Sequence, residues 1–217
     1  MSHLLKHLKP FIWMILIAIV LLFVQANSEL SLPDYLSRIV NVGIQQGGVE
    51  NAVPVAIRQN RMEDVTLLLS DTDRERVLQS YTLVTPGSTE SQAWIKQYPA
   101  LSTEAVYIRK DVDDSEMEWL NTTMTRALLV TSGIERAFAN PDQAAIPGFD
   151  ISAFPAGTNP FDLLKKAPPE MLARLREQIN TAMDSQLKAL GENMAEQTAS
   201  QVVKAEYTAL GMDMTAL

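Results

Sequence analysis

The chain has 217 residues, 47% of them hydrophobic and 20% charged, a balance that supports one domain with a real core and excludes a disordered chain. A formal net charge of −8 with no basic stripe excludes nucleic acid as a partner, because phosphate binding needs clustered Lys and Arg to release counterions. There is no cysteine, and the two histidines, His3 and His7, lie among the first ten residues, so a disulfide framework, a Cys nucleophile, a Ser-His-Asp triad and a His-rich metal site are all excluded.

Charge is partitioned along the chain. Lys6 and Lys9 are the only charges before Glu29; removing those two from the net of −8 leaves −10 for the remainder. Every residue from Phe11 to Val24 is apolar, and none from Pro10 to Ser28 is charged. As a helix, those 19 residues reach about 28 Å, close to the thickness of a hydrocarbon core. The lysines before the run and Glu29 and Asp34 after it put the N-terminus in the cytoplasm and the bulk outside. Phe11, Trp13, Leu16, Val20 and Phe23 are the expected lipid-facing anchor, with Trp13 near the inner interface. A competing assignment is a cleaved signal peptide, since Val24-Gln25-Ala26 satisfies the small-residue cleavage rule and would leave a mature N-terminus at Asn27. Against it, apolar residues recur at helical spacing at Leu32, Leu36, Ile39, Val40 and Ile44, as in a helix that continues outward. Residues 1–9 are thus expected in the cytoplasm, 10–28 in the membrane, 29–48 as an outward extension ended near Gly43 and Gly47-Gly48, and 49–217 as an extracytoplasmic domain.

The fold class expected for that domain is mainly α, with at most a small two-stranded element. Residues 53–59 read as helical or extended, and a helix is expected around Met62 to Leu69. Ser70 or Asp71 is an N-cap candidate for the next helix, with Asp71 and Asp73 in its first turn. Thr85-Pro86-Gly87-Ser88 is a loop, Ala105 to Ile108 is the best strand, and Tyr81 to Val84 is its candidate partner. Asp113-Asp114-Ser115 caps a helix to about Ala139, whose apolar positions Met117, Leu120, Met124, Leu128 and Ile134 keep helical spacing. From Asn140 to Pro160 four prolines, Gly148 and Gly157 predict an irregular connection. Pro168-Pro169-Glu170 starts a last helical segment that ends at Gly211 and is interrupted at Gly191. Its stripe of Leu172, Leu175, Ile179, Met183, Leu187, Leu190, Met194, Thr198, Val202, Ala205 and Ala209 predicts packing along another helix.

No phosphate-binding glycine loop, H-E-x-x-H or G-x-S-x-G is present, so no catalytic, cofactor-binding or metal residue is named and the chain is not expected to be an enzyme by itself. Asp71/Asp73 and Asp113/Asp114 lack calcium-loop spacing and read as helix caps. The ten methionines read as core filling, Asn121-Thr122-Thr123 as an incidental glycosylation sequon, and Lys165-Lys166 as a solvated pair.

One stretch carries more. Leu4 to Phe23, with the sequel Leu32-Pro33-Asp34-Tyr35-Leu36-Ser37-Arg38-Ile39-Val40-Asn41-Val42-Gly43-Ile44-Gln45, resembles the first transmembrane helix of bacterial multidrug-type ABC exporters. In that family an L-K-P-[FY] start precedes the apolar run, and an L-P-x-[LY]-[ML]-[SA]-x-I-[VI]-[ND]-x-G-I sequence comes after it; Leu32, Pro33, Asp34, Tyr35, Ile39, Gly43 and Ile44 match the second pattern. The rest of the chain, from Gln46 to Leu217, resembles the extracytoplasmic insertion some of these exporters carry between helices one and two. The resemblance implies a bacterial cytoplasmic-membrane location, ATP-driven export, and as partners the lipid bilayer, the remaining transmembrane helices and a nucleotide-binding domain in a dimer. ATP and Mg would bind in that domain, since no residue here matches its motifs. The chain is then expected to be a fragment or a split subunit; the alternative is a free-standing single-pass anchored protein that binds a partner.

Overall fold

The computed structural model describes residues 12–38, 49, 51–140 and 159–212. The chain divides into two units, residues 1–45 and 46–217.

The first unit contributes one helix, α1, Ile12–Arg38, with Pro33 inside it. Pro33 has no N–H to offer the carbonyl of Glu29, yet the helix continues through it. Among the described residues no helix is long and apolar enough to cross a membrane. Within α1 the described part of the apolar run, Ile12 to Val24, is 13 residues long. It rises about 20 Å, short of the roughly 30 Å of a hydrocarbon core. The span expected over residues 10–28 therefore lacks structural support, since it also counts Pro10 and Phe11, outside the described residues, and the polar residues Gln25, Asn27 and Ser28.

The second unit is mainly helical. Its elements are β1 (Ala56–Arg58), α2 (Gln59–Thr66), α3 (Asp71–Gln79), β2 (Tyr81–Val84), the short α4 (Ser91–Trp94), a 3₁₀ turn (Pro99–Ser102), β3 (Val106–Arg109), α5 (Asp114–Ala139), α6 (Pro160–Leu164), α7 (Pro169–Leu190) and α8 (Glu192–Ala209). The sheet has three strands in the order β1-β3-β2, both pairs antiparallel, with Ile57 and Leu83 opposite Tyr107. This corrects the expectation of at most two strands: β1 has only three residues and passes straight into α2, too short for alternation to declare it. Val106 and Ile108 of the central strand are buried.

Helix starts follow their caps. The Ser70 hydroxyl accepts the Asp73 N–H at 3.1 Å, and the Asp113 carboxylate accepts the Glu116 N–H at 2.9 Å. The Ser115 hydroxyl and that N–H together hold Asp113 below the usual carboxylate range. Asp71 and Asp73 lie in the first turn of α3, and Asp114 and Glu116 in that of α5, where the helix dipole favours them.

Two apolar clusters form. The larger joins the sheet, Met62 and Val65 of α2, Leu120, Met124 and Leu128 of α5, and Ala195, Ala199, Val203, Tyr207 and Leu210. The second gathers Leu67, Leu68, Val130, Ile134, Phe161, Leu164, Leu175 and Ile179. Within the core the Tyr81 hydroxyl donates to the Pro54 carbonyl at 2.9 Å, and the Val55 N–H donates to the Tyr207 hydroxyl at 2.8 Å. Burial raises both phenols and pushes Tyr98 up to about 12, so all three stay neutral.

The expected stripe on the last segment holds on α7, where Leu175 and Ile179 are buried and Leu172, Met183 and Leu187 pack half-buried on the clusters. Beyond Gly191 it keeps only Val202 in half-buried contact with a cluster: Ala195, Ala199, Val203 and Leu210 are buried there while Met194, Ala205 and Ala209 are exposed. Gly191, at φ 79° and ψ 149°, breaks the helix and resets its phase. The connection expected from 140 to 160 falls almost wholly outside the described residues, and nothing bears on it.

Candidate functional site

Two features bear on function: the apolar surface of α1 and a charged groove in the second unit.

Along α1, Trp13, Leu16, Val20 and Phe23 are exposed, Trp13 at 78% and Phe23 at 71%. Ile17, Ile19, Leu21, Leu22 and Val24 are exposed as well, so the helix presents apolar side chains on all sides. A helix apolar all round belongs in an apolar medium or under a partner. The polar residues beyond the run are turned back on the helix. Asn27, Ser28 and Ser31 donate to the carbonyls of Phe23, Val24 and Asn27 at 2.8–2.9 Å, and Gln25 donates to Glu29 at 2.9 Å. Of the family-like residues, Leu32, Pro33, Asp34 and Tyr35 lie within α1. Phe11, Ile39, Gly43 and Ile44 lie outside the described residues.

The groove, of about 460 Å³, runs between the start of α2, the second half of α5 and α8. Arg58, Arg61, Glu135, Arg136 and Glu206 supply its charge, and Val202 and Ala205 its apolar lining. Glu206, with a side chain 6% exposed, is met by the Arg58 guanidinium from β1 at 2.9 Å. That hydrogen bond, against the cost of burial, holds Arg58 more firmly protonated than usual. Arg61 makes a two-pronged contact with Glu135. Arg136 donates to the Ser132 carbonyl and hydroxyl at 3.2 and 3.3 Å, and among the described residues it has no carboxylate partner. Three guanidiniums against two carboxylates leave one positive charge here, in a chain that is acidic overall. The Ser132 and Thr198 hydroxyls donate to the carbonyls of Leu129 and Met194, so neither is offered outward, and Arg136 is the exposed cation of the groove.

Sequence reasoning missed this groove because its ion pairs join residues 148 and 74 positions apart. The singled-out Lys165 is also engaged: its ammonium lies 2.8 Å from Asp64 and 3.3 Å from Glu63. Asn121 of the sequon accepts the Ala52 N–H at 2.9 Å and donates to Glu196 at 2.7 Å, a structural use. No group of acids that could hold a metal ion occurs among the described residues.

No family model, curated protein or solved structure matches this chain.

Proposed function

We propose that the chain is the first part of an ABC-type export permease of the bacterial multidrug kind. In this reading α1 is the first membrane helix, with its N-terminus in the cytoplasm, and residues 46–217 are an extracytoplasmic insertion between helices one and two. The other transmembrane helices and the nucleotide-binding domain that takes ATP and Mg come from outside these 217 residues.

The observation that carries the reading is the exposed apolar surface of α1 from Trp13 to Val24. Two features support it further. The helix passes without a break through Leu32-Pro33-Asp34-Tyr35, as the exporter resemblance requires of a helix leaving the bilayer. The back-bonded Asn27, Ser28 and Ser31 lower the cost of carrying polar side chains into the interface. Residues 10 and 11 would lengthen the apolar run at its cytoplasmic end. Against cleavage after Ala26, α1 continues through Val24-Gln25-Ala26 to Arg38.

The test is to read the coding DNA past Leu217. Further hydrophobic spans with Walker motifs, in the same frame or in an adjacent one, are expected; a stop codon with no permease beside it would overturn the exporter reading. A second reading, a free-standing anchored binding protein, is favoured by the groove around Arg136, and that second outcome would put it first.

A further inference from the structure

Helices α7 and α8 are joined by one residue. Gly191 is both the C-cap of α7 and the N-cap of α8, at φ 79° and ψ 149°, a conformation open essentially only to glycine. A Cβ built there would meet nothing within 4 Å, so the joint faces open space on that side.

The two sides of the joint are held very differently. On α8, Ala195, Ala199, Val203 and Tyr207 are buried in the larger cluster, and Glu206, Tyr207 and Glu196 are bonded to Arg58, Val55 and Asn121. On α7, Leu175 and Ile179 are the fully buried side chains among those described and belong to the second cluster; Leu172 and Met183 pack on that cluster half-buried, and near the joint Met183 and Leu187 also reach the larger one. Its lateral polar ties come from two arginines. Arg126 of α5 donates to the Asn180 carbonyl at 3.0 Å and to Asp184 at 2.7 Å; Arg176 donates to the Leu67 carbonyl at 3.0 Å and to Asp71 at 3.3 Å. In both, the Nε is shut away from water with no hydrogen-bond partner. The docked state of α7 therefore bears two desolvated, unpaired donors that an undocked α7 would return to water.

We propose that α7 is a hinged strap: it lifts as a unit about Gly191 while α8 stays fixed, uncovering an apolar strip of Leu67, Leu68, Val130, Ile134, Phe161 and Leu164. The strip is what a strap would guard. Local opening of this kind draws on elements with few buried contacts, and α7 is such an element beside α8.

Hydrogen exchange read by mass spectrometry on the full chain tests this. Amides of residues 172–190 are expected to exchange at least ~10-fold faster than those of 195–209, through an opening insensitive to low denaturant. Equal protection of the two helices, with the same denaturant dependence, would overturn the proposal. Because the chain has no cysteine, Ile179→Cys and Ala199→Cys give a second readout in thiol-labelling rate, with position 179 expected to label at least ~10-fold faster. Asp184→Asn, which weakens one tie, is expected to speed exchange in α7 alone; faster exchange in α7 and α8 alike would contradict a hinge at Gly191.

Discussion

Glu206 of α8 accepts three hydrogen bonds from Arg58 of β1, one from its backbone N–H and two from its guanidinium, each 2.9 Å long. One carboxylate thus fixes the end of an edge strand to a helix 148 positions away. Glu206→Ala would strand a backbone donor and a largely covered charge, and is expected to cost about 2–3 kcal/mol. Glu206→Gln keeps an acceptor and is expected to cost about half as much. Urea unfolding of both variants checks the order.

Tyr207 lies beside Glu206 and does a related job with a neutral group, taking the Val55 N–H at 2.8 Å. Tyr207→Phe keeps the ring in the larger cluster and removes the acceptor, so a loss of about 1 kcal/mol is expected. Its measure is the shift in urea midpoint at unchanged slope.

Two glycines separate backbone strain from packing. Gly191 and Gly211 have φ of 79° and 81°, but a Cβ at Gly191 meets open space while one at Gly211 comes to 3.2 Å from Pro99. Gly191→Ala is expected to cost about 1–3 kcal/mol for the backbone alone. Gly211→Ala should cost more, because Pro99 sits where the Ala100 N–H reaches the Leu210 carbonyl at 3.0 Å and docks the end of α8. Thermal melts of the two variants should rank Gly211→Ala lower.

Asp64 gives a pH dependence with a definite sign. Burial raises its carboxyl above 3.8, more than Lys165 at 2.8 Å lowers it. Lys165 is held more firmly protonated, the pull of Asp64 and Glu63 exceeding the effect of its burial, so it gains from the pair that Asp64 loses by. Asp64 is the deeper partner, 14% exposed against 31%, and its balance governs. A carboxyl with a raised folded pKa binds more protons in the native state, so stability falls as pH rises from 3.8 through the raised value. Asp64→Asn is expected to remove that part of the slope and to leave stability near pH 7 within about 1 kcal/mol of the parent. Unfolding midpoints measured from pH 4 to 7 test both statements.

The caps at Ser70 and Asp113, the pairing of residues 81–84 with 106–109 and the break at Gly191 were all legible in the sequence, because each rests on a local signal: a side-chain acceptor, β-branched alternation or a glycine. Three things were not. β1 is too short to show a period. The phase of the stripe beyond Gly191 depends on a backbone turn that adds no residue to count. The groove assembles Arg58, Arg61, Arg136 and Glu206 from three helices and a strand, so only tertiary packing brings them together.

The function proposed for this chain stands or falls with α1 as a membrane anchor that leaves the second unit outside. Without native cysteines, single ones can be placed at Ser2 and at exposed Gln92 and probed in intact cells with a membrane-impermeant maleimide. With that topology the Gln92→Cys chain labels directly, the Ser2→Cys chain labels only after permeabilisation, and both stay with the membrane through alkaline carbonate. Release into the soluble fraction, or labelling of the position 2 thiol in intact cells, would refute the anchor and its orientation.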